Sequence, residues 1–393
     1  MSALNAKKIA QAIPYGRQSI DSKDIAAVVK TLKGDWLTQG PAVDAFEKEI
    51  CHNTGVKYAV AVANGTAALH LACLAAGIKA GDEVITSPLT FAASANCARY
   101  CGANVVFADV DAHTGLICPD AVQALISRKT KMIIPVHYAG NPCDMDKLKK
   151  IARQHHLYLL EDAAHAMGSS YRGQAIGSCS HSDMAVFSFH PLKHITTGEG
   201  GAVTTNDQEL YLRLKQLRSH GITKDPLSLI DKTQGGWFYE MQDLGFNYRL
   251  SDIQSSLGIS QIKKLPQFVR QRRNIAKQYD ALLGSNLNVT VLKEPQGSTC
   301  AYHLYPILLT GALVKQRKEI FEQLRAAGIG VQVHYIPVYW HPYYQRLGFK
   351  KGLCPNAENF YAAQISLPMF PGLKTSDIKH IVKILLKIID RHA

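Results

Sequence analysis

The chain has 393 residues, 47% hydrophobic and 19% charged, so a sizeable packed core is expected and disorder is not. Its formal charge of +13 comes without any long run of Lys and Arg. Gln271-Arg-Arg273 and Gly348-Phe-Lys-Lys-Gly352 read as solvated faces, and a small anionic ligand accounts for the charge at least as well as nucleic acid, which no basic cluster with interleaved aromatics supports.

In chain order, apolar residues at helical spacing predict a helix over 24–32. A proline at a first turn and a glycine just past the end predict another over 41–51. Residues 58–62 are strand-like and 67–76 helical. Short apolar runs at 83–86, 104–108, 131–136 and 157–160 suit strands buried on both faces, with helices between them such as 146–155. Strands alternating with helices imply an α/β fold with a mostly parallel sheet and right-handed crossovers, whose ligands bind at the carboxyl ends of strands.

Over 222–246 the pattern loosens into a turn-rich, aromatic stretch containing Gly235-Gly-Trp-Phe-Tyr239, expected to be a long functional loop. Ser251-Asp-Ile-Gln254 has capping-box spacing and opens a helical segment expected to reach about residue 283. Strands over 302–309 and 331–335, with helices over 316–327 and 375–390, make the last third a smaller C-terminal α+β domain. The expected division is a large domain over 1–255 and a small one over 256–393.

Nine dispersed cysteines and the lack of any His-Glu-x-x-His motif leave no metal site expected, and suit reduced thiols. The first residues hold no apolar segment of signal-peptide length, and no apolar stretch nears the ~20 residues of a membrane helix, so a soluble, cytoplasmic protein is expected.

Two strand ends carry the chemistry. Leu157-Tyr-Leu-Leu-Glu-Asp162 places a carboxylate at the end of one apolar strand. Phe187-Ser-Phe-His-Pro-Leu-Lys193 places a hydroxyl, Ser188, and an amine, Lys193, at the end of another, ahead of the glycine-rich turn Thr197-Gly-Glu-Gly-Gly201. An amine, a carboxylate and a hydroxyl on neighbouring strand ends are what pyridoxal 5′-phosphate requires: Lys193 for its aldehyde, Asp162 for its pyridine nitrogen, Ser188 for its phosphate. Asn64-Gly65-Thr66, between a strand and a helix, offers a helix N-terminus for the phosphate, with Gly65 allowing close approach and Thr66 adding a hydroxyl. Phe91 is either a core aromatic or a ring that stacks on the cofactor. His165 either bonds the cofactor's ring hydroxyl or is a satisfied buried histidine.

These pieces, with Trp36-Leu-Thr-Gln-Gly40, Arg218-Ser-His-Gly221, the run from Gly245 to Gln254 and Val333-His-Tyr335, resemble the nucleotide-sugar aminotransferases of the DegT/DnrJ/EryC1/StrS family over nearly the whole chain. The resemblance implies the type I pyridoxal phosphate aminotransferase fold, with a mostly parallel seven-stranded sheet flanked by helices. It implies transfer of an amino group from glutamate to C4 of a UDP-4-keto-6-deoxy-N-acetylhexosamine, as in pseudaminic acid biosynthesis. His165, Ser188-Phe-His190 and the run from His303 to Leu308 fit that subgroup. It also implies a homodimer with composite sites. Asn247 would reach the cofactor phosphate of the partner subunit, and His334 and Tyr335 would enter the partner's substrate pocket. Tyr15, Asp35, Trp36, Leu37 and Thr38 would line the sugar-nucleotide cleft. Asn64-Gly65 departs from the Ser-Gly common at that turn in the wider family. Related dehydratases carry histidine in place of the lysine, so Lys193 argues for amino transfer.

Overall fold

The computed structural model describes residues 12–392. Seven strands form the central sheet: β1 (Tyr58–Val62), β2 (Glu83–Thr86), β3 (Asn104–Phe107), β4 (Thr130–Ile134), β5 (Tyr158–Asp162), β6 (Met184–Ser188) and β7 (Gly201–Thr205). Their spatial order is β1-β7-β6-β5-β4-β2-β3. From β6 to β3 all neighbours run parallel, while β7 runs antiparallel to both β6 and β1. This is the mostly parallel seven-stranded sheet expected. Its near-continuous apolar strands are buried on both faces by helices, as crossover connections require.

Local signals set the flanking helices. Pro41 opens the helix Pro41–Thr54, and Gly55 ends it at φ 74°, a left-handed conformation that favours glycine. Asn64 caps Gly65–Ala75, its Oδ1 accepting from the Ala67 N–H at 2.8 Å. The Ser251 capping box forms as expected, but the helix it opens stops at Ile262. A second helix runs from Leu265 to Leu283. Pro266 causes the break. Its ring lacks an N–H and would collide with the Ile262 carbonyl four residues back in a continuous helix.

A second apolar core, with Ile275, Tyr279, Ile307, Leu324, Ile365 and Ile381, gathers around the three-stranded antiparallel sheet of Val289–Val291, Tyr305–Leu309 and Gln364–Leu367. The strand expected over 331–335 does not form. Only Gln332 bridges to Ser366. Beyond it the Val333 and His334 N–H groups donate to the side-chain oxygens of Gln332 and Gln364 at 2.9 and 2.8 Å, so the ladder cannot continue. Over 222–246 the only regular pairing is a short hairpin between Ile222–Thr223 and Glu240–Met241, in keeping with the loop expected there.

One contact fixes how the first helix of the sheet meets its strands. A Cβ added at Gly201, the first residue of β7, would lie 2.6 Å from the Asn64 carbonyl and 2.7 Å from the Gly65 nitrogen. No side chain fits between the strand and the turn before the helix. Gly201→Ala should therefore lower stability by about 1–3 kcal/mol, the usual range for overpacking. A urea midpoint equal to that of the parent protein would contradict this close approach.

Candidate active site

Asp162 ends β5 and Ser188 ends β6, on adjacent parallel strands. Alternation along β5 sends Glu161 and Asp162 to opposite faces. Glu161 pairs with His137 at 2.8 Å. Asp162 is 5% exposed and is held from two sides. The Ser94 hydroxyl donates to its Oδ2 at 2.5 Å, and the Ala164 N–H donates to Oδ1 at 3.1 Å. Thr90 shares a hydrogen bond with Ser94 at 2.6 Å, so two hydroxyls support one carboxylate.

Lys193 sits in a closed loop between β6 and β7. Its N–H donates to the His190 carbonyl at 2.9 Å, and the Thr197 N–H and Thr196 hydroxyl both donate to the Phe189 carbonyl at 3.0 Å. Gly198 makes the return turn at φ 81°. Burial pushes the Lys193 amine down to about 8. The nearby Asp162 carboxylate opposes that shift, and the Arg272 guanidinium adds to it.

Four histidines surround this amine. His303 Nε2 lies 3.4 Å from Lys193 Nζ. The His303 ring is 4.3 Å from that of His165 and 5.7 Å from that of His194. Burial first, and cationic neighbours after it, hold His165, His194 and His303 well below the usual imidazole range. His334 is held down to about 3 by burial and by Lys193. All four rings are therefore neutral at physiological pH, and Lys193 is the titrating cation among them.

Arg272 closes the back of the site. It is 1% exposed and donates from Nη1 to the carbonyls of Tyr302, His303 and Met369 at 3.1–3.2 Å. Among the described residues no carboxylate pairs with it, so its charge acts on Lys193 unneutralised. Arg272 corrects the reading of Gln271-Arg-Arg273 as a solvated face. Positions 265, 268, 272, 275 and 279 repeat every three or four residues and are all buried, so Arg272 occupies the apolar stripe of its helix.

The cradle suits pyridoxal phosphate. The N–H groups at the first positions of Gly65–Ala75 have no partner within the helix. A Cβ at Gly65 would meet Ser188 Cβ at 3.0 Å and its Oγ at 3.3 Å, so bare backbone faces the Ser188 hydroxyl there. The free N–H groups and the Ser188 hydroxyl, side by side, suit an anion. Asn64, the departure from the wider family's pattern, is spent on capping the helix. At the other end, His165 Nδ1 is buried without a partner, while its Nε2 meets the Tyr335 hydroxyl at 3.0 Å. The amine, carboxylate, anion cradle and unpartnered ring nitrogen match the cofactor's aldehyde, pyridine nitrogen, phosphate and ring hydroxyl.

The remaining residues singled out from sequence divide into two groups. Tyr15, His334 and Tyr335 belong to the group around Lys193. The Tyr15 ring is 5.8 Å from His334, His334 Nδ1 meets Ser366 Oγ at 2.9 Å, and the Tyr138 hydroxyl donates to the His334 carbonyl at 2.7 Å. The expectation that His334 and Tyr335 enter the partner's pocket is thus corrected. The failed strand turns both side chains back into their own chain's site, where these bonds lock them. Phe91 is not a core aromatic: its ring is 63% exposed, on the turn that leads to Ser94. Asp35, Trp36, Leu37 and Thr38 lie exposed in a loop tied to Ser251 and Asp252 and make no hydrogen bond to the groups around Lys193. Asn247 is also exposed and touches none of the groups around Lys193.

Sequence reasoning passed over Thr90, Ser94, His194, Arg272 and His303 as parts of the site. The four-residue spacing of Thr90 and Ser94 and the apolar stripe around Arg272 were readable signals. His194 follows Lys193 directly in the chain, whereas nothing local marks His303, which is brought in by folding.

The sequence profile described as the DegT/DnrJ/EryC1/StrS aminotransferase family matches residues 18–386. A Campylobacter jejuni protein named UDP-4-amino-4,6-dideoxy-N-acetyl-beta-L-altrosamine transaminase is 42% identical over 382 residues, covering 96% of this chain and 98% of that protein. Among solved structures, Helicobacter pylori PseC, described as an aminotransferase involved in the biosynthesis of pseudoaminic acid, superposes with a TM-score of 0.90 at 36% identity, covering 97% of this chain and all of its own. The sugar aminotransferase Spr1654 of Streptococcus pneumoniae, described as putative and solved in its PMP form, superposes with a TM-score of 0.92 at 31% identity over 97% of this chain and 100% of that one. The same protein is also known in a PLP form. With the seven-stranded sheet, these likenesses establish the type I aminotransferase fold. The chain belongs to the DegT/DnrJ/EryC1/StrS aminotransferase family and is a pyridoxal phosphate-dependent aminotransferase.

Proposed function

We propose that this enzyme transfers the amino group of glutamate to C4 of a UDP-4-keto-6-deoxy-N-acetylhexosamine, yielding UDP-4-amino-4,6-dideoxy-N-acetyl-β-L-altrosamine. The observation that carries the chemistry is the half-buried amine of Lys193, in the loop after β6, within Coulomb reach of Asp162 at the end of the adjacent parallel strand. The name of the Campylobacter jejuni relative supports the choice of sugar.

When bound, pyridoxal phosphate supplies an aldehyde that bonds covalently to amines and a ring that draws electron density from the adjoining carbon. Lys193 is the residue to hold the aldehyde. Asp162, aimed by Ser94, would pair with the pyridine nitrogen. Gly65, Thr66 and Ser188 take the phosphate. His165 would meet the ring hydroxyl, and Phe91 would stack on the ring. Freed by the incoming amine, Lys193 removes a proton from the α-carbon of glutamate. In the second half it delivers a proton to C4 of the sugar. Its lowered pKa suits both tasks near neutral pH, because neither charge state is strongly preferred there. Tyr15, Asp35, Trp36, Leu37, Thr38 and His334 are the proposed sugar-nucleotide contacts, with Tyr335 steadying His165.

The same reading makes the enzyme a homodimer in which Asn247 reaches the partner's cofactor phosphate. Its exposure in a single chain supports that role. Light scattering should give about twice the 43.2 kDa of one chain, and a single-chain mass at micromolar concentration would exclude the shared site.

The substrate is tested by offering UDP- and dTDP-4-keto sugars with glutamate and solving the C4 configuration of each product by NMR. The UDP-4-keto-6-deoxy-N-acetylhexosamine should be preferred, and a perosamine-type or aminoarabinose-type product from a better substrate would replace it. Lys193→Ala should abolish turnover, while Asp162→Asn should lower kcat by at least ~10²-fold through loss of the protonated ring. Near-parental rates in either variant would remove that residue from its role.

A further inference from the structure

Among the described residues, His303 is the one side chain within hydrogen-bond reach of the Lys193 amine, with Nε2 at 3.4 Å. The ring is 7% exposed. Arg272 anchors its backbone carbonyl at 3.1 Å, and the rings of His165 and His194 pack beside it. Its Nδ1 is buried without a partner, so no other protein group competes for the imidazole.

A lysine that carries protons between carbon atoms alternates between amine and ammonium. The ammonium has three donors and no acceptor. In a site that excludes water, those donors need acceptors if the charged form is to stay in one place. Asp162 favours the ammonium through space, yet no hydrogen bond links it to Nζ. A carboxylate at the place of His303 would trap the ammonium as an ion pair. A neutral imidazole can accept its hydrogen bond without holding the proton so firmly. The groups facing His303 are Lys193, His165, His194 and Arg272, and burial together with the charges of Lys193 and Arg272 keeps the ring uncharged. It therefore remains an acceptor while Lys193 titrates.

We propose that His303 is a positioning residue for amino transfer: its neutral Nε2 accepts a hydrogen bond from the Lys193 amine and holds the ammonium in place until the proton is delivered to the substrate carbon. This rests on the reading of Lys193 as the lysine that binds the cofactor.

The test compares His303→Leu, which removes the acceptor, with His303→Gln, which keeps one. The first readout is the rate at which cofactor-free protein captures pyridoxal phosphate as a function of pH, followed by absorbance and located by borohydride reduction and mass spectrometry of the Lys193 peptide. Capture requires the neutral amine, so the rate should rise with pH through a midpoint near 8 in the parent protein. Loss of an acceptor that favours the ammonium should lower that midpoint by about one unit in the Leu variant, and the Gln variant should restore it. The second readout is single-turnover transfer with saturating substrates. It should fall about 10²-fold in the Leu variant, with the sugar KM unchanged, and recover most of the loss in the Gln variant. Should the Leu variant not fold, His303→Phe keeps a ring without the acceptor. An unmoved midpoint and rate in the acceptor-free variant would overturn the proposal. A Gln variant as slow as Leu, with parental Tm, would also overturn it. Parent protein that captures no cofactor at Lys193 would instead overturn the assignment of the site itself.

Discussion

The Lys193 amine lies where two opposing fields meet. Asp162 pulls it toward the charged form, while burial and the unpaired Arg272 guanidinium push it toward the neutral one. A lysine in water is almost wholly ammonium at neutral pH and is a poor nucleophile. Here the balance places its titration close to the working range, so one group can both bond to an aldehyde and return a proton. The four neutral histidines matter to this balance by what they lack. A charged imidazole next to Lys193 would add a second cation to an already crowded cavity.

Asp162 and the phosphate cradle depend on the sheet in different ways. Asp162 is a strand-end carboxylate whose two oxygens are already claimed, one by the Ser94 hydroxyl and one by the Ala164 N–H. Those two bonds fix the direction in which the carboxyl group faces. The cradle depends instead on missing side chains. Gly65 and Gly201 let the helix N-terminus, β7 and Ser188 come within backbone contact, and any larger residue would force them apart. One end of the cofactor site is thus built from charge and the other from close approach.

Much of this could be read along the chain because it follows from neighbours in sequence. The apolar runs of the strands, the proline and glycine around Pro41–Thr54, the Ser251 capping box and the pairing of a strand-end Asp162 with Lys193 in the loop after the neighbouring strand all act over a few residues or through the regular geometry of a parallel sheet. Two errors share an opposite cause. Residues 331–335 have strand-like composition, yet Gln332 and Gln364 satisfy the backbone that a strand would have paired. Arg272 stands among basic residues, yet its helix turns it inward against three carbonyls. In both places a deciding partner, Gln364 in the first and the carbonyls of Tyr302, His303 and Met369 in the second, is distant in sequence.

By itself, the order of residues determined the class of fold, the helix starts and stops, and the identity of the amine, carboxylate and glycines around the cofactor, since each expresses local backbone preference or hydrophobic period. Only the tertiary structure decided which groups tune that amine. His303 and Arg272 reach Lys193 because the Leu265–Leu283 helix and the segment before Tyr305–Leu309 are packed behind the strand ends, where they meet His194, the residue next to Lys193 in the chain. His334 and Tyr335 join them because their own strand fails to form. Burial and Coulomb interaction act through space, and distance in space is what folding sets.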